Sequence, residues 1–301
     1  MKGPFIIDSG IAGPTLLITA GVHGDEYEPI LATQFLVQSL KGHVLKGKVV
    51  LVPIVNGSAV VSHTRYGDDG LDLARICPGN PNGSSTEKDA ALVSELIAKA
   101  DYLIDLHTGG KIFDIHPLAG YMLHPLQAVL EVQRAMAIAF GLPVVWGTDH
   151  SPNGRTLSVA RDHAIPAIYV EFGGGTTARS SIIAAYANGC MGVLSHLKMM
   201  HPTVSTNKIL EWWTEDNTPQ NGYLQSKMQA PADGIFVPAV QLGQPIKKGS
   251  HWGDIFDLDT GNKTEVFAED SGIVLFLRCE AITKQGDSLG GIMPINQHTL
   301  R

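Results

Sequence analysis

The sequence predicts an α/β fold: a mixed, mostly parallel sheet with helices on both faces, followed by a small all-β segment. Three observations carry this. Strand-like and helix-like segments alternate over the first two-thirds of the chain, the pattern of a layered protein with a largely parallel sheet. The strand-like runs are continuously apolar, as expected when helices cover both faces. After Met200 the pattern changes to short strands with a Gly every few residues, which points to a small sandwich or barrel.

The first strand is TLLITA at Thr15–Ala20, and a helical pattern follows over Pro29–Leu40. Val49–Val55 is the second strand and Glu87–Ala100 the second helix. YLIDL at Tyr102–Leu106 leads to a helix over Leu126–Phe140, and AIYVE at Ala167–Glu171 to one over Ala178–Met200. The polar stretch His201–Gln225, with two tryptophans and turn residues, reads as a connector. From Met228 onward APADGIFVPAV, KKGSHWGDIFDL, TEVFAEDSGIVLFL and GDSLGGI read as short strands and turns. The expected division is residues 1–205, a connector over 206–226, and a β domain over 227–301.

A length of 301 residues is ample for two domains. A net charge of −7 without a Lys/Arg cluster argues against nucleic acid or an anionic membrane as partner. MKGPFIIDSG lacks the apolar run of a signal peptide, and no stretch is long enough to span a bilayer. Three well-separated cysteines, Cys77, Cys190 and Cys279, are no disulfide framework and fit a reducing cytoplasm.

Chemistry concentrates at the predicted strand ends. His23 and Glu26, three apart in GVHGDEYEP, can face one metal ion from a single turn of backbone. Among 12 His such a pair arises by chance, so its weight depends on what accompanies it. His107 follows the strand Tyr102–Leu106, Glu171 ends the strand Ala167–Glu171, and Asn56 follows Val49–Val55. Four strands thus each deliver a polar residue at the carboxyl edge, where open α/β sheets bind ligands. His23, Glu26 and His107 form a His₂Glu set, the zinc ligands of thermolysin and carboxypeptidase A, with a fourth position for water. Glu171 is then the expected general acid/base. Arg65 and Arg75 are candidates to stabilise the oxyanion. Asp105 reads equally as a carboxylate orienting a ligand or as an ordinary strand-end acid. His116, His150 and His163 read as structural or exposed.

Taken together, GVHGDEYEP, VNGSAVVSHTRYGDDGLDLARICPGNPNG, DLHTGG and VEFGGG resemble the succinylglutamate desuccinylase/aspartoacylase branch of the zinc carboxypeptidase superfamily. Within the branch, GDEYEP and PGNPNGSSTE are most similar to the N-acetyl-diaminobutyrate deacetylase-like amidohydrolases. The resemblance implies a carboxypeptidase-like α/β domain holding one Zn²⁺ per chain on His23, Glu26 and His107. It also implies Glu171 as general acid/base, Arg65 as carbonyl polariser and Arg75 as a binder of the substrate carboxylate. The family's D-L-N-R-x-F-P-G pattern reads DLARICPG here, so Ala74 stands where Asn is usual and Cys77 where Phe is usual. Ala offers no side-chain donor to a carboxylate.

The last segment resembles the barrel-sandwich appended to this family, a relative of lipoyl and biotinyl carriers. Lys263 is then read as an ordinary turn lysine. The expected protein is a cytoplasmic zinc-dependent amidohydrolase, a deacylase, acting on a small-molecule N-acyl amine or amino acid. A metallocarboxypeptidase acting on peptides is the second reading, and a carrier modified at Lys263 the third. The residues do not specify whether the chain forms a homo-oligomer.

Overall fold

In the computed structural model, residues 2–202, 210–219, 221–222 and 227–295 are described. The strands β1 (Phe5–Asp8), β2 (Thr15–Thr19), β3 (Lys48–Val52), β4 (Tyr102–His107), β5 (Phe113–Met122), β6 (Val144–Thr148), β7 (Ala167–Gly174) and β8 (Trp212–Glu215) belong to one mixed eleven-stranded sheet. Its centre is the order β3-β2-β4-β7, all parallel. β1 closes one side antiparallel to β3. β5 runs antiparallel to β7, and β6 and β8 continue from it in parallel.

The helices are α1 (Tyr27–Ser39), α2 (Gly57–Ser62), α3 (Ser85–Ala98), α4 (Gln127–Phe140), α5 (Thr156–Asp162) and α6 (Ser180–His196). Strand side chains alternate between faces, and the packing follows. Leu16 and Ile18 pack with Leu36, Phe140, Tyr186 and Cys190 of α1, α4 and α6. Leu17 and Leu103 pack with Val93 and Ile97 of α3 and Leu157 of α5. Each face therefore has its own core, which is why the strands carry no polar face. Burying a side chain such as Leu17 stabilises by about 1.5–3 kcal/mol.

The four expected strands and four long helices are present, with ends shifted by a few residues. Several elements were not expected: β1, β6, α2 and α5, and two whose disguise has a clear cause, β5 and β8. β5 contains His116 and Pro117, and its pairing with β7 shifts register between Ile115 and Leu118. Proline inside a strand is tolerated at such an irregularity, but it disguises the strand in the sequence. β8 lies inside the stretch read as a connector, where Trp212–Glu215 extends the sheet beside β6. Residues 203–209, 220 and 223–226 of that stretch lie outside the described residues.

The C-terminal region is all-β as expected, and its strands are divided between two sheets. β9 (Gly234–Pro238), β11 (His251–Phe256), β12 (Lys263–Phe267) and β14 (Ile282–Thr283) form a four-stranded antiparallel sheet. β10 (Pro245–Ile246), β13 (Gly272–Arg278) and β15 (Gly290–Pro294) join the large sheet, because β13 pairs with β5 from Phe276↔Ile115 to Arg278↔Phe113. Trp252, Phe236, Val274 and Ile292 pack in a core between the two sheets. Leu118, Trp146, Leu275 and Phe276 form a seam joining this region to the first.

Gly120 shows how tightly β5 meets β7. A Cβ at this position would lie 2.1 Å from the ring of Tyr169, its cross-strand partner. Gly120→Ala is expected to cost about 1–3 kcal/mol through overpacking, read as a lowered midpoint in urea unfolding.

Candidate active site

Chain geometry at the carboxyl edge brings the candidate residues together. β2 ends at Thr19, and the chain turns through His23 and Gly24 into α1, with Glu26 at its N-cap. Gly24 is needed there: a Cβ would lie 1.8 Å from the Ala59 carbonyl oxygen of α2. The backbone of the metal-facing loop therefore lies directly on that helix. His107 is the last residue of β4 and Glu171 stands opposite it on β7. Arg65 lies between α2 and a 3₁₀ turn over Leu73–Arg75.

His23, Glu26 and His107 place their donor atoms within 4.8 Å of one another. His23 Nδ1 is 2.7 Å from Glu26 Oε1, and His107 Nδ1 is 3.0 Å from Glu26 Oε2. The outer nitrogens are held by acids. His23 Nε2 donates to Asp72 Oδ1 at 3.1 Å, and His107 Nε2 donates to Asp105 Oδ2 at 3.0 Å. With those protons committed outward, the two inner lone pairs face a carboxylate. Either a second proton on each ring or a cation bound between the rings and Glu26 satisfies such a buried arrangement. The donor set therefore fits a divalent metal, with the outer acids acting as orienting partners of metal-bound imidazoles.

Without a cation between them, the acids around the two rings favour the protonated imidazoles. Burial opposes charge on both imidazoles. Glu26 and Asp72 nevertheless raise the pKa of His23, and Asp105 and Glu26 raise that of His107 well above the ordinary value. Burial alone would raise Glu26, but the two facing imidazoles hold it down at about 2. Burial pushes Glu171 up to about 8, against the opposing pull of His107, His23 and Arg65. Its Oε2 is buried with no hydrogen-bond partner among the described residues.

Asp105 is more than a strand-end acid. It is fully buried, accepts from Thr19 Oγ1 at 2.6 Å and His107 Nε2, and also accepts from Thr156 of α5. Asp105→Asn keeps the shape but offers His107 an amide that can turn its NH₂ inward. If the donor set takes a divalent metal, its affinity is expected to fall about 10–100-fold, measured by competition with a chromophoric chelator.

Asp72 was not singled out by sequence reasoning. Its Oδ1 accepts from His23 and from the backbone N–H of Ala74, and its Oδ2 accepts from Arg65 Nε at 2.9 Å. It ties the first histidine to the arginine. The only available sign was its place three residues before Arg75. Thr156 had no sign at all, since α5 is brought in by tertiary packing. The Tyr186 hydroxyl donates to the carbonyl oxygens of His107 and Phe172, fixing the end of β4 from α6.

His23, Glu26, His107, Glu171, Arg65 and Arg75 all line one cavity of about 540 Å³. Asn56 does not join them; it is fully buried and its Oδ1 accepts from Ala59 N, capping α2. His116, His150 and His163 lie outside the cavity lining. His116 lies within β5 rather than near a loop, and His163 bonds its own helix at Val159. Lys263, the first residue of β12, is paired with Glu265 at 3.0 Å and with Asp254 at 3.5 Å. Among the described residues no helix is long and apolar enough to cross a membrane.

Known proteins share this fold. Residues 12–197 match the model of the succinylglutamate desuccinylase/aspartoacylase catalytic domain. The chain is 31% identical over 292 residues to the N-alpha-acetyl-L-2,4-diaminobutyric acid deacetylase of Halomonas elongata, covering 94% of this chain and 83% of the relative. It superposes on the product-bound ectoine utilization protein of Ruegeria pomeroyi with a TM-score of 0.86 at 27% identity, covering 95% of this chain and 87% of the other. The succinylglutamate desuccinylase/aspartoacylase of Rhodobacter sphaeroides gives 0.83 at 26% identity, over 95% and 87% of the two chains. A matched domain model spanning both histidines and both glutamates, on a fold superposing along nearly its whole length, makes this chain a member of the succinylglutamate desuccinylase/aspartoacylase family.

Proposed function

We propose that this chain is a zinc-dependent hydrolase that cleaves the amide bond of a small N-acylated amine or amino acid. One observation carries the reading. Two imidazoles, each oriented by an aspartate, turn their inner nitrogens toward Glu26, and Glu171, whose Oε2 has no hydrogen-bond partner among the described residues, lines the same cavity. His23, Glu26 and His107 would hold one zinc ion per chain. When bound, zinc supplies Lewis-acid polarisation and lowers the pKa of water to about 7.

The chain's own residues do the rest. Glu171 takes a proton from the attacking water and returns it to the leaving nitrogen, so that the amine departs neutral. Its burial favours the donor role, because a raised pKa holds the proton on the carboxyl, while the positive groups His107, His23 and Arg65 pull it toward the ionised form that accepts the proton from water. Arg65, held by Asp72, offers its guanidinium to the carbonyl oxygen as negative charge develops there. Arg75 lies at the cavity edge for a substrate carboxylate, with Ala74 offering no side-chain donor beside it.

The relatives' names support deacylation of small N-acyl compounds. Residues Phe276, Arg278 and Asp287 wall the cavity from the C-terminal side, which favours small amides over peptides. On this reading residues 1–205 form the catalytic unit, 206–226 the connector and 227–301 the wall. The ion pairs of Lys263 leave the carrier reading without support. The test is hydrolysis of N-acyl amino acids and diamines by metal-stripped and zinc-reloaded protein. Activity is expected only after reloading, at one zinc per chain, and full activity in the stripped protein excludes the reading.

A further inference from the structure

We infer that the amide cleaved at this site carries a bulky apolar group, of branched-chain or aromatic size, which seats in an apolar chamber beside Glu171. The inference rests on the hydrolase reading above and names the substrate class for it. The cavity does not end at the charged residues. Its floor continues sideways across the sheet, from β4 and β7 onto β5, β6 and β13.

Strand register sets out this floor. Leu118 on β5 lies opposite Glu171, so the two share a face at the closest cross-strand spacing. Gly120 lies opposite Tyr169 on one side and Trp146 on the other. Lacking a side chain, Gly120 leaves the space into which the Tyr169 ring leans. Met122 follows on the same face of β5, and β13 adds Leu275 and Phe276. The hydroxyl of Tyr169 lies toward Thr148, so the ring presents mainly carbon to the cavity.

Arg155 and Asp149 bound the chamber on the side of the Tyr169 hydroxyl, and the other charged groups of the lining lie further off. Arg65 is drawn to Asp72 beside His23, and Arg278 is bonded to Glu280 and Asp287 at the C-terminal wall. A carbonyl placed between His107 and Glu171 therefore has one of its two substituents directed over β5 and β6. A polar substituent there would shed water and find few partners. An apolar one gains about fourfold in binding per buried methylene. The volume of about 540 Å³ falls in the range of sites for ligands well above acetyl size.

The test uses the full zinc-loaded chain and two substrate series. In one, the acyl group stays acetyl while the amine part runs from glycine through leucine to phenylalanine. In the other, the amine stays glycine while the acyl group runs from acetyl through butyryl to phenylacetyl. N-acetyl-2,4-diaminobutyrate serves as the small polar reference. The expected result is a rise in kcat/KM of at least tenfold along one series, carried mainly by KM, with the reference below its aromatic member. Which series rises tells whether the chamber takes the acyl or the amine side. Cleavage of the reference with a flat or falling response along both series overturns the inference and leaves the hydrolase reading standing. Absence of hydrolysis across all these amides overturns the hydrolase reading and the inference with it.

Discussion

Glu171→Gln is expected to lower kcat/KM for an N-acyl substrate by roughly 10²–10⁴-fold while zinc stays at one per chain. Glutamine nearly matches glutamate in shape, so the cavity keeps its walls. What it loses is the ability to take a proton from water and pass it to nitrogen. Glu171 makes none of the donor contacts of the metal cluster, and its Oε2 is buried without a partner. Removing its charge leaves no orphaned group behind, so thermal stability should hold or rise. Steady-state kinetics, metal analysis and a melting curve on one preparation give all three readouts. Activity within threefold of the parent would assign the proton transfer to another group.

His107→Ala should lower stability as well as rate. The imidazole is held at both ends, by Glu26 at 3.0 Å and Asp105 at 3.0 Å. Deleting it removes one of three metal donors and leaves two buried carboxylates facing an empty space. Breaking a buried pair in this way costs about 3–5 kcal/mol, which for a chain of this size corresponds to on the order of ten degrees in Tm. Hydrolysis should fall by about 10³-fold or more, since the charge stabilisation supplied at the site disappears with the metal. Asp105→Asn, which keeps the imidazole, should lose far less of both. Similar melting of His107→Ala and the parent in the metal-free state would show that the buried acids are satisfied by other means.

Much of this site was legible because its residues obey a rule of position. His107 and Glu171 sit at the carboxyl ends of neighbouring parallel strands, and apolar runs mark such strands clearly. His23 and Glu26 share one short turn, so their spacing alone reports their proximity. Asn56 obeyed the same rule and was misleading, because a strand-end asparagine also suits the start of the next helix. The partners beyond the donors were illegible for a different reason. Asp72 reaches His23, and Thr156 reaches Asp105 behind His107, across long stretches of chain, through packing that no local pattern encodes. β5 was hidden by its own Pro117, and β8 by its shortness. The division of the C-terminal strands between two sheets depends on β13 finding β5, a pairing that hydropathy does not specify.

That pairing also sets an order of events in the making of the protein. Phe276 meets Ile115 across roughly 160 residues of intervening chain, a separation that delays closure during folding. Phe276 packs edge-on against Phe113, with ring centroids 5.0 Å apart. While the chain emerges from the ribosome, the metal donors are all synthesised well before β13. The nascent protein therefore passes through a stage in which the donors exist while Phe113–Ile115, which can pair with β7 on one side, lack β13 on the other and Phe113 lacks its aromatic cover. An unpaired, apolar strand edge of this kind is what chaperones capture and what aggregates when they are scarce.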